Sequence, residues 1–265
     1  MVETRRQSNG MKIRAHRAEY ADVQAMRDMY RQELDCQIVH YSFLPRGLAD
    51  PYVIELDGRI AGYGAVSNKY DKGRLVEFYT IPEVRSSALP LFHELLAASQ
   101  ATHIEAQTNS PLMLLMLYDC ASDIFPEKLL FRDAVVTHLT CPGGMFRKST
   151  PEDMLSDENE SAGEWIIAAS GTAVARGGFL CHYNPPFADV FIEVVEGARR
   201  QGFGSYLVQE VKRVCYEAGK KPAARSDPSN IASRKTLEKA GLLPCGHMLV
   251  GTVKTAGTGT LEHRP

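Results

Sequence analysis

The sequence has no apolar run long enough to cross a bilayer; the longest, Leu112 to Tyr118, is far short of a transmembrane helix. Its first twenty residues are basic but carry no apolar segment of the kind a secretory signal needs. It has six cysteines, Cys36, Cys120, Cys141, Cys181, Cys215 and Cys245, but no C-x-x-C pair and no zinc-finger spacing with histidine. Reduced thiols in a cytosol are the simplest reading. None of the eight histidines falls in an H-x-x-x-H or H-E-x-x-H arrangement, so no metal site is expected. The net charge of −2 offers no excess of either sign for nucleic acid or an anionic membrane surface. Together these absences predict a soluble, cytoplasmic protein without a nucleic-acid or membrane partner.

What is present is ordinary globular composition at a length suited to two domains: 265 residues, 44% hydrophobic and 23% charged. Residues 1–10 read as a disordered polar tail. Met11 to Ala15 suits a first strand, and Val23, Met26 and Tyr30 are spaced for a helix from Ala18 to about Gln32. Tyr52 to Leu56 and Ile60 to Val66 flank Asp57-Gly58-Arg59, a strong hairpin signal. A strand at Leu75 to Ile81, a helix at Leu89 to Ala98, a short strand at His103 to Ala106, a helix at Pro111 to Tyr118 and a closing strand at Ala134 to Leu139 come next.

Residues 142–163 are rich in glycine, proline and acidic side chains and read as a linker or exposed loop. The same order then returns. Strands are expected at Trp165 to Ala169, Ala173 to Leu180 and Val190 to Val195, then a helix from Gly204 to Ala218 with Gly219 behind it. A strand at Ala223 to Arg225, a helix from Asn230 to Ala240 and a strand from Met248 to Val253 complete the copy. The chain is therefore an α/β protein with a weak internal repeat. The halves are 11–141 and 164–257, joined by 142–163 and followed by a tail at 258–265. Each half is expected to hold a mixed, mostly antiparallel sheet flanked by helices. The second has little room for helices ahead of its hairpin and is expected to lean on the first.

One turn carries chemistry. The apolar strand ending at Val195 runs into Arg199-Arg200-Gln201-Gly202-Phe203-Gly204 and then a helix. Glycine lets a large anion approach the backbone, and the first turn of a helix offers unpaired N–H groups and a positive dipole end. No third glycine follows as in dinucleotide folds, and no Gly-Lys-Ser/Thr as in P-loops.

Val194 to Ser205 resembles the acyl-CoA signature of the GNAT family of N-acetyltransferases, and Asn230 to Leu242 resembles the same family's Asn-led helix ending in Glu-Lys-x-Gly. The resemblance covers residues 165–253 by motif and 11–140 by layout only. It implies that backbone groups of residues 200–205, with Arg199, Arg200, Gln201, Gly202, Phe203, Gly204 and Ser205, hold a pyrophosphate. By position, Val194 and Val195 would hold the pantetheine arm and polarise the thioester carbonyl, and Asn230 would face the cofactor. The implied reaction is direct attack of a primary amine on acetyl-CoA, with acetyl-CoA and the amine as partners, no metal, and a monomer or homodimer. A lysine-type amine needs about 4.6 kcal/mol to be neutral at pH 7, whereas an α-amine needs only about 1–1.4 kcal/mol. Glu193, inside an otherwise apolar strand, is the candidate base, on the expectation that it is partly desolvated; Asp189 is the alternative. Leu237 stands where many members carry an acidic tyrosine, which leaves Ser233 or water for that role. The competing reading is an acyl-CoA sensor without turnover.

In the first half the equivalent turn is Arg85-x-x-Ala88-x-Pro90. Pro90 lacks an N–H and Ala88 adds a Cβ, so this copy is expected to keep the fold without binding cofactor. Glu77 mirrors Glu193 and is read as a surface residue.

Overall fold

The computed structural model describes residues 11–33, 42–153, 164–181 and 185–254. The first half runs β1 (Ile13–Arg17), α1 (Tyr20–Glu33), β2 (Ala49–Leu56), β3 (Arg59–Ser67), β4 (Arg74–Thr80), a 3-10 turn (Pro82–Ser87), α2 (Ala88–Ser99), β5 (His103–Gln107), α3 (Pro111–Cys120) and β6 (Ala121–Asp133). The second runs β7 (Met145–Lys148), a 3-10 turn (Pro151–Asp153), β8 (Trp165–Ala169), β9 (Thr172–Leu180), β10 (Phe187–Val194), a 3-10 turn (Glu196–Ala198), α4 (Phe203–Glu217), β11 (Lys221–Ser226), α5 (Ile231–Lys239) and β12 (Leu242–Val253).

Local chemistry accounts for most boundaries. Asp57 and Gly58 have φ of 52° and 78°, the paired positive values of a two-residue hairpin turn. Leu207, Val208, Val211 and Cys215 of α4 are fully buried along one stripe. The helix stops at Gly219, φ 67°, where the Lys220 N–H returns to the Cys215 carbonyl at 2.8 Å.

The two halves do not each close their own sheet. All the described strands lie in one twelve-stranded sheet of order β1-β2-β3-β4-β5-β12-β6-β11-β10-β9-β8-β7. The last strand of each half is exchanged: β12 sits against β5, and β6 sits against β11. The two exchanged strands also pair antiparallel with each other, from Leu242↔Asp133 to Val253↔Ala121. Three register shifts interrupt this central ladder, one of them beside Pro126. A proline inside a central strand is tolerated at such an irregularity because the missing N–H is not needed there.

Helices cover the sheet unevenly. Ile54, Ile104, Ala106 and Leu249 pack under α2 and α3, whereas the neighbouring Val53 packs with Tyr63, Ala65 and Tyr79 under α1 on the opposite face. In the second half α4 and α5 cover Leu129, Phe131, Ile167, Val190 and Leu242. Burying each large apolar side chain contributes about 1.5–3 kcal/mol. Among the described residues, no helix of the second half occupies the face that α1 covers in the first.

Three sequence expectations change. The strand closing the first half is Ala121–Asp133; residues 134–140 are an extended connection outside the sheet. Pro126 and the flanking charges hid the real strand. Part of the expected linker, Met145–Lys148, is an edge strand too short to show a period. Its residues 154–163 lie outside the described residues, as do residues 1–10 and 255–265, which contain the expected tails. The last strand also begins at Leu242, well before Met248.

Candidate functional site

Strands β10 and β11 start as parallel neighbours, with Phe187↔Lys221, Ala188↔Pro222 and Asp189↔Ala223 in register. Beyond that point they part. β10 stays with β9 as far as Val194↔Ala175, while β11 follows β6 as far as Ser226↔Leu129. The result is a V-shaped opening in the sheet beside the second half of β10. Backbone groups alternate along this strand. The Val195 N–H bonds the Val174 carbonyl at 3.0 Å, so odd-numbered residues here face β9. Ile192 and Val194 therefore direct their backbone groups into the opening. Val195, expected to meet a cofactor arm, has its N–H committed to β9; Ile192, which the sequence motif did not single out, stands in its place. Strand alternation alone would have pointed to it, had the ladder partner been known. The Val194 carbonyl accepts the Arg199 Nε–H at 3.1 Å, leaving its N–H toward the opening.

At the end of β10 the chain makes one 3-10 turn and enters α4 through Arg200, φ 62°, and Gly202, φ 97°. No side chain caps this helix. The Tyr206 N–H, bonded to the Gly202 carbonyl at 3.1 Å, is the first to be satisfied. The amides from Arg200 to Ser205 have no hydrogen-bond acceptor within the described chain, so they form a concentrated donor set at the positive end of a fifteen-residue helix. Phe203 and Ser205 bury their side chains and offer only backbone. Arg200 and Gln201 are exposed, and Gln201 donates to the Gly197 carbonyl at 3.0 Å.

The two glycines of the turn serve different purposes. A Cβ on Gly202 would meet only Pro142 Cγ, at 3.8 Å; its backbone is open and needs the positive φ. A Cβ on Gly204 would lie 3.2 Å from Thr236 Cγ2 and 3.4 Å from Val194 Cγ2. Gly204 thus lets α4 close onto β10 and α5 rather than opening a path for an anion. On α5, Asn230 accepts the Ser233 N–H at 2.9 Å and caps the helix. The motif asparagine therefore builds the start of α5. Leu237 is buried in the core, where it packs with Ala240 and Leu242.

Glu193 lies on the sheet face away from α4. Its side chain is 60% exposed, and its Oε2 is 2.6 Å from Arg176 Nη2 across the β9–β10 ladder. The expected desolvation is not found: α1 has no counterpart over this face among the described residues, so nothing strips the carboxylate of water. Asp189 instead is buried at the fork of the opening, 2.8 Å from Arg225 Nη2. Neither arginine partner was evident without the strand register.

Residues 19–134 match the family described as "Acetyltransferase (GNAT) domain", and residues 128–242 match "Acetyltransferase (GNAT) family". The chain is a tandem GNAT protein. Solved structures agree on the fold. An acetyltransferase from the GNAT family of Colwellia psychrerythraea aligns over 92% of this chain and 100% of its own, with a TM-score of 0.73 at 14% identity. A tandem GNAT protein from the clavulanic acid biosynthesis pathway aligns over 93% of this chain and 100% of its own, with a TM-score of 0.57 at 12% identity. A GCN5-related N-acetyltransferase from Sphaerobacter thermophilus gives 0.54 over 91% of this chain and 95% of its own, at 14% identity. No curated protein sequence matches the chain.

The first GNAT repeat holds the same parts in a closed state. Its 3-10 turn runs straight into α2, with the Ala88 N–H already bonded to the Arg85 carbonyl and no positive-φ residue between. Arg85 pairs with Glu33 at the end of α1 and lies 5.5 Å from the Tyr79 ring centre. Glu77 is not a surface residue. It is 1% exposed, held by Arg27 Nε at 2.8 Å and Nη2 at 2.7 Å, and accepts the Tyr63 hydroxyl at 2.9 Å. Burial and the adjacent Glu77 carboxylate push the hydroxyls of Tyr30 and Tyr63 well up. No group of three or more potential metal ligands occurs among the described residues, and no described helix is long and apolar enough to cross a membrane.

Proposed function

We propose that this GNAT protein transfers an acetyl group from acetyl-CoA to a primary amine, with the second repeat as the catalytic one. The observation that carries the reading is the uncommitted amide set from Arg200 to Ser205, at the mouth of the opening between β10 and β11. These residues fit the coenzyme: six adjacent backbone positions, a glycine with open space at φ 97° and exposed Arg200 suit a pyrophosphate. Acetyl-CoA, when bound, supplies an acyl group activated as a thioester. The Ile192 and Val194 backbone would align its arm, and Asn230, bonded to the Ser233 N–H, fixes the start of the α5 helix that packs on Gly204 through Thr236. Glu193, open to water and oriented by Arg176, would accept the proton lost by the amine, directly or through one water. The first repeat, with the Ala88 amide committed to Arg85, Pro90 lacking an N–H and its carboxylate capped by Arg27, serves as scaffold and does not bind the coenzyme.

A second reading, an acyl-CoA sensor without turnover, is favoured by one observation: Leu237 is buried hydrocarbon where many family members carry a tyrosine. Water can protonate a departing thiolate of ordinary pKa near 8.5, so turnover does not require that hydroxyl.

The deciding experiment is release of free CoA from acetyl-CoA against a mixed panel of primary amines, with wild type beside Gly202→Glu and Glu193→Gln. Turnover by wild type and its loss in Gly202→Glu support the transferase. A large loss of kcat in Glu193→Gln, with acetyl-CoA affinity kept, supports the proton acceptor. Tight acetyl-CoA binding with no CoA release on any amine favours the sensor.

A further inference from the structure

The connection between the repeats does more than span a gap. From Asp133 it leaves the sheet and rides along α4 in the direction opposite to the helix. The Ala134 and Val135 N–H groups share the Gly241 carbonyl at 3.1 and 3.0 Å. The Val135 carbonyl accepts buried Lys212 at 2.7 Å. One helical turn nearer the start of α4, the Gln209 amide holds Leu139 from both sides: Oε1 accepts its N–H at 2.6 Å and Nε2 donates to its carbonyl at 3.2 Å. Each of these contacts fixes backbone rather than a side chain, so the path is set independently of sequence in between. The last step brings Cys141 near Tyr206, whose hydroxyl is pushed up by burial and then by the Glu210 carboxylate. Pro142 then stands 3.8 Å from the Cβ direction of Gly202.

The turn therefore has two flanks. Gly204 faces Thr236 of α5, and Gly202 faces Pro142 of the connection. Beyond Pro142 the chain is open only at Gly143; Gly144 lies against β8, where a Cβ would meet the Ala168 carbonyl at 2.8 Å. Gly143, φ 114°, has nothing within 4 Å of its Cβ direction, and Pro142, Gly143 and Gly144 are all exposed. The Cys141 Sγ bonds the Gly144 carbonyl at 3.4 Å and folds this tip into a turn. A segment clamped along α4 that ends in an open, glycine-bearing tip beside a set of free amides forms a wall of that site.

We propose that Pro142 and Gly143 are part of the coenzyme site, lining it beside Gly202 and meeting the phosphorylated, nucleotide end of the ligand. This rests on the acetyl-CoA reading of the same turn. It assigns a binding role to residues that belong to neither motif, and it makes the join between the repeats a component of the site.

The test uses the full-length protein. Alkylation of Cys141 by iodoacetamide is followed by mass spectrometry without ligand, with acetyl-CoA, and with S-acetylpantetheine, which lacks the nucleotide end. Exposed Cys181 is the internal control; Cys120 and Cys215, whose thiols burial pushes up to about 11 and about 12, are slow throughout. Calorimetry gives acetyl-CoA affinity for wild type, Pro142→Ala and Pro142→Glu. The expected result is at least tenfold slower alkylation of Cys141 with acetyl-CoA but not with S-acetylpantetheine, an unchanged rate at Cys181, and at least tenfold weaker binding by Pro142→Glu than by Pro142→Ala. If acetyl-CoA binds and either Cys141 reacts at its unliganded rate or the two Pro142 variants bind alike, the inference is overturned while the functional reading stands. If wild type binds no acetyl-CoA, the functional reading falls and takes the inference with it.

Discussion

Glu77 on β4 and Glu193 on β10 stand two positions apart between the repeats, yet on the corresponding face of the sheet the first is sealed by Arg27 and the second stands in water beside Arg176. The difference comes from one helix. Where α1 lies over the sheet, a carboxylate on that face must be paired and fully hydrogen-bonded; where no described helix lies, it remains accessible.

That contrast predicts an asymmetry in stability. Arg27→Ala leaves the Glu77 carboxylate buried beside the Tyr63 hydroxyl without its counter-charge, and should destabilise by about 3–5 kcal/mol. Arg27→Met combined with Glu77→Leu should recover most of that loss. Arg176→Ala, at the exposed pair, should cost about 1 kcal/mol or less. Urea denaturation of the wild type and these three variants provides the comparison; equal losses for Arg27→Ala and Arg176→Ala would contradict it.

Lys212 is a second buried charge with a full set of acceptors: Asp133 Oδ1 at 2.7 Å, the Val135 carbonyl at 2.7 Å and the Ala240 carbonyl at 2.8 Å. It joins β6, the connection and the end of α5. Lys212→Met keeps most of the volume but strands three acceptors, and a loss of about 3–5 kcal/mol is expected. Thermal unfolding should show a drop of several degrees or more; a drop under about two degrees would show that the lysine contributes little to the fold.

The two motif glycines should separate stability from binding. Gly202→Ala forces an L-residue into positive φ, at about 1 kcal/mol, with no steric conflict. Its main effect should be a tenfold or greater loss of acetyl-CoA affinity. Gly204→Val should do the reverse, pushing α4 from Val194 and Thr236 and lowering the unfolding midpoint first. Paired calorimetry and denaturation would reveal the pattern, and identical profiles for the two variants would reject it.

Alkaline pH should weaken the protein through its buried thiol. Burial raises the Cys215 pKa from 9.0 to about 12. A raised folded-state pKa means the unfolded chain loses its proton first, so stability is level below about 9 and declines as pH rises from there toward about 12. Tyr30 and Tyr63 are shifted in the same direction and add to the decline. Urea midpoints between pH 8 and 11 should fall for wild type, with a shallower fall in Cys215→Ala; parallel slopes would remove Cys215 from the explanation.

Local chemistry was legible in the sequence and long-range pairing was not. Asp57-Gly58, Gly219 and Gly241 mark turns because positive φ is a property of one or two residues. Gly202 and Asn230 marked the turn into α4 and a helix start for the same reason. The close packing at Gly204 was not legible because its neighbours, Thr236 and Val194, come from separate elements. The Arg176 partner of Glu193 depends on the β9–β10 register, and the burial of Glu77 depends on a helix fifty residues earlier in the chain. β6 went unrecognised because Pro126 forbids a regular strand, and only the opposing bulged ladder of β12 makes room for it.

The exchange of β6 and β12 also sets an order of events in the cell. β5 has its outer neighbour only in β12, whose last residue is Val253. A ribosome releasing the chain from its N-terminus therefore holds the first repeat with an unsealed edge until synthesis has passed that strand. Contacts spanning that much sequence form slowly, and an open edge invites pairing with other chains meanwhile. The first repeat is thus the part of the molecule left with an unpaired strand edge until the last strand has been made.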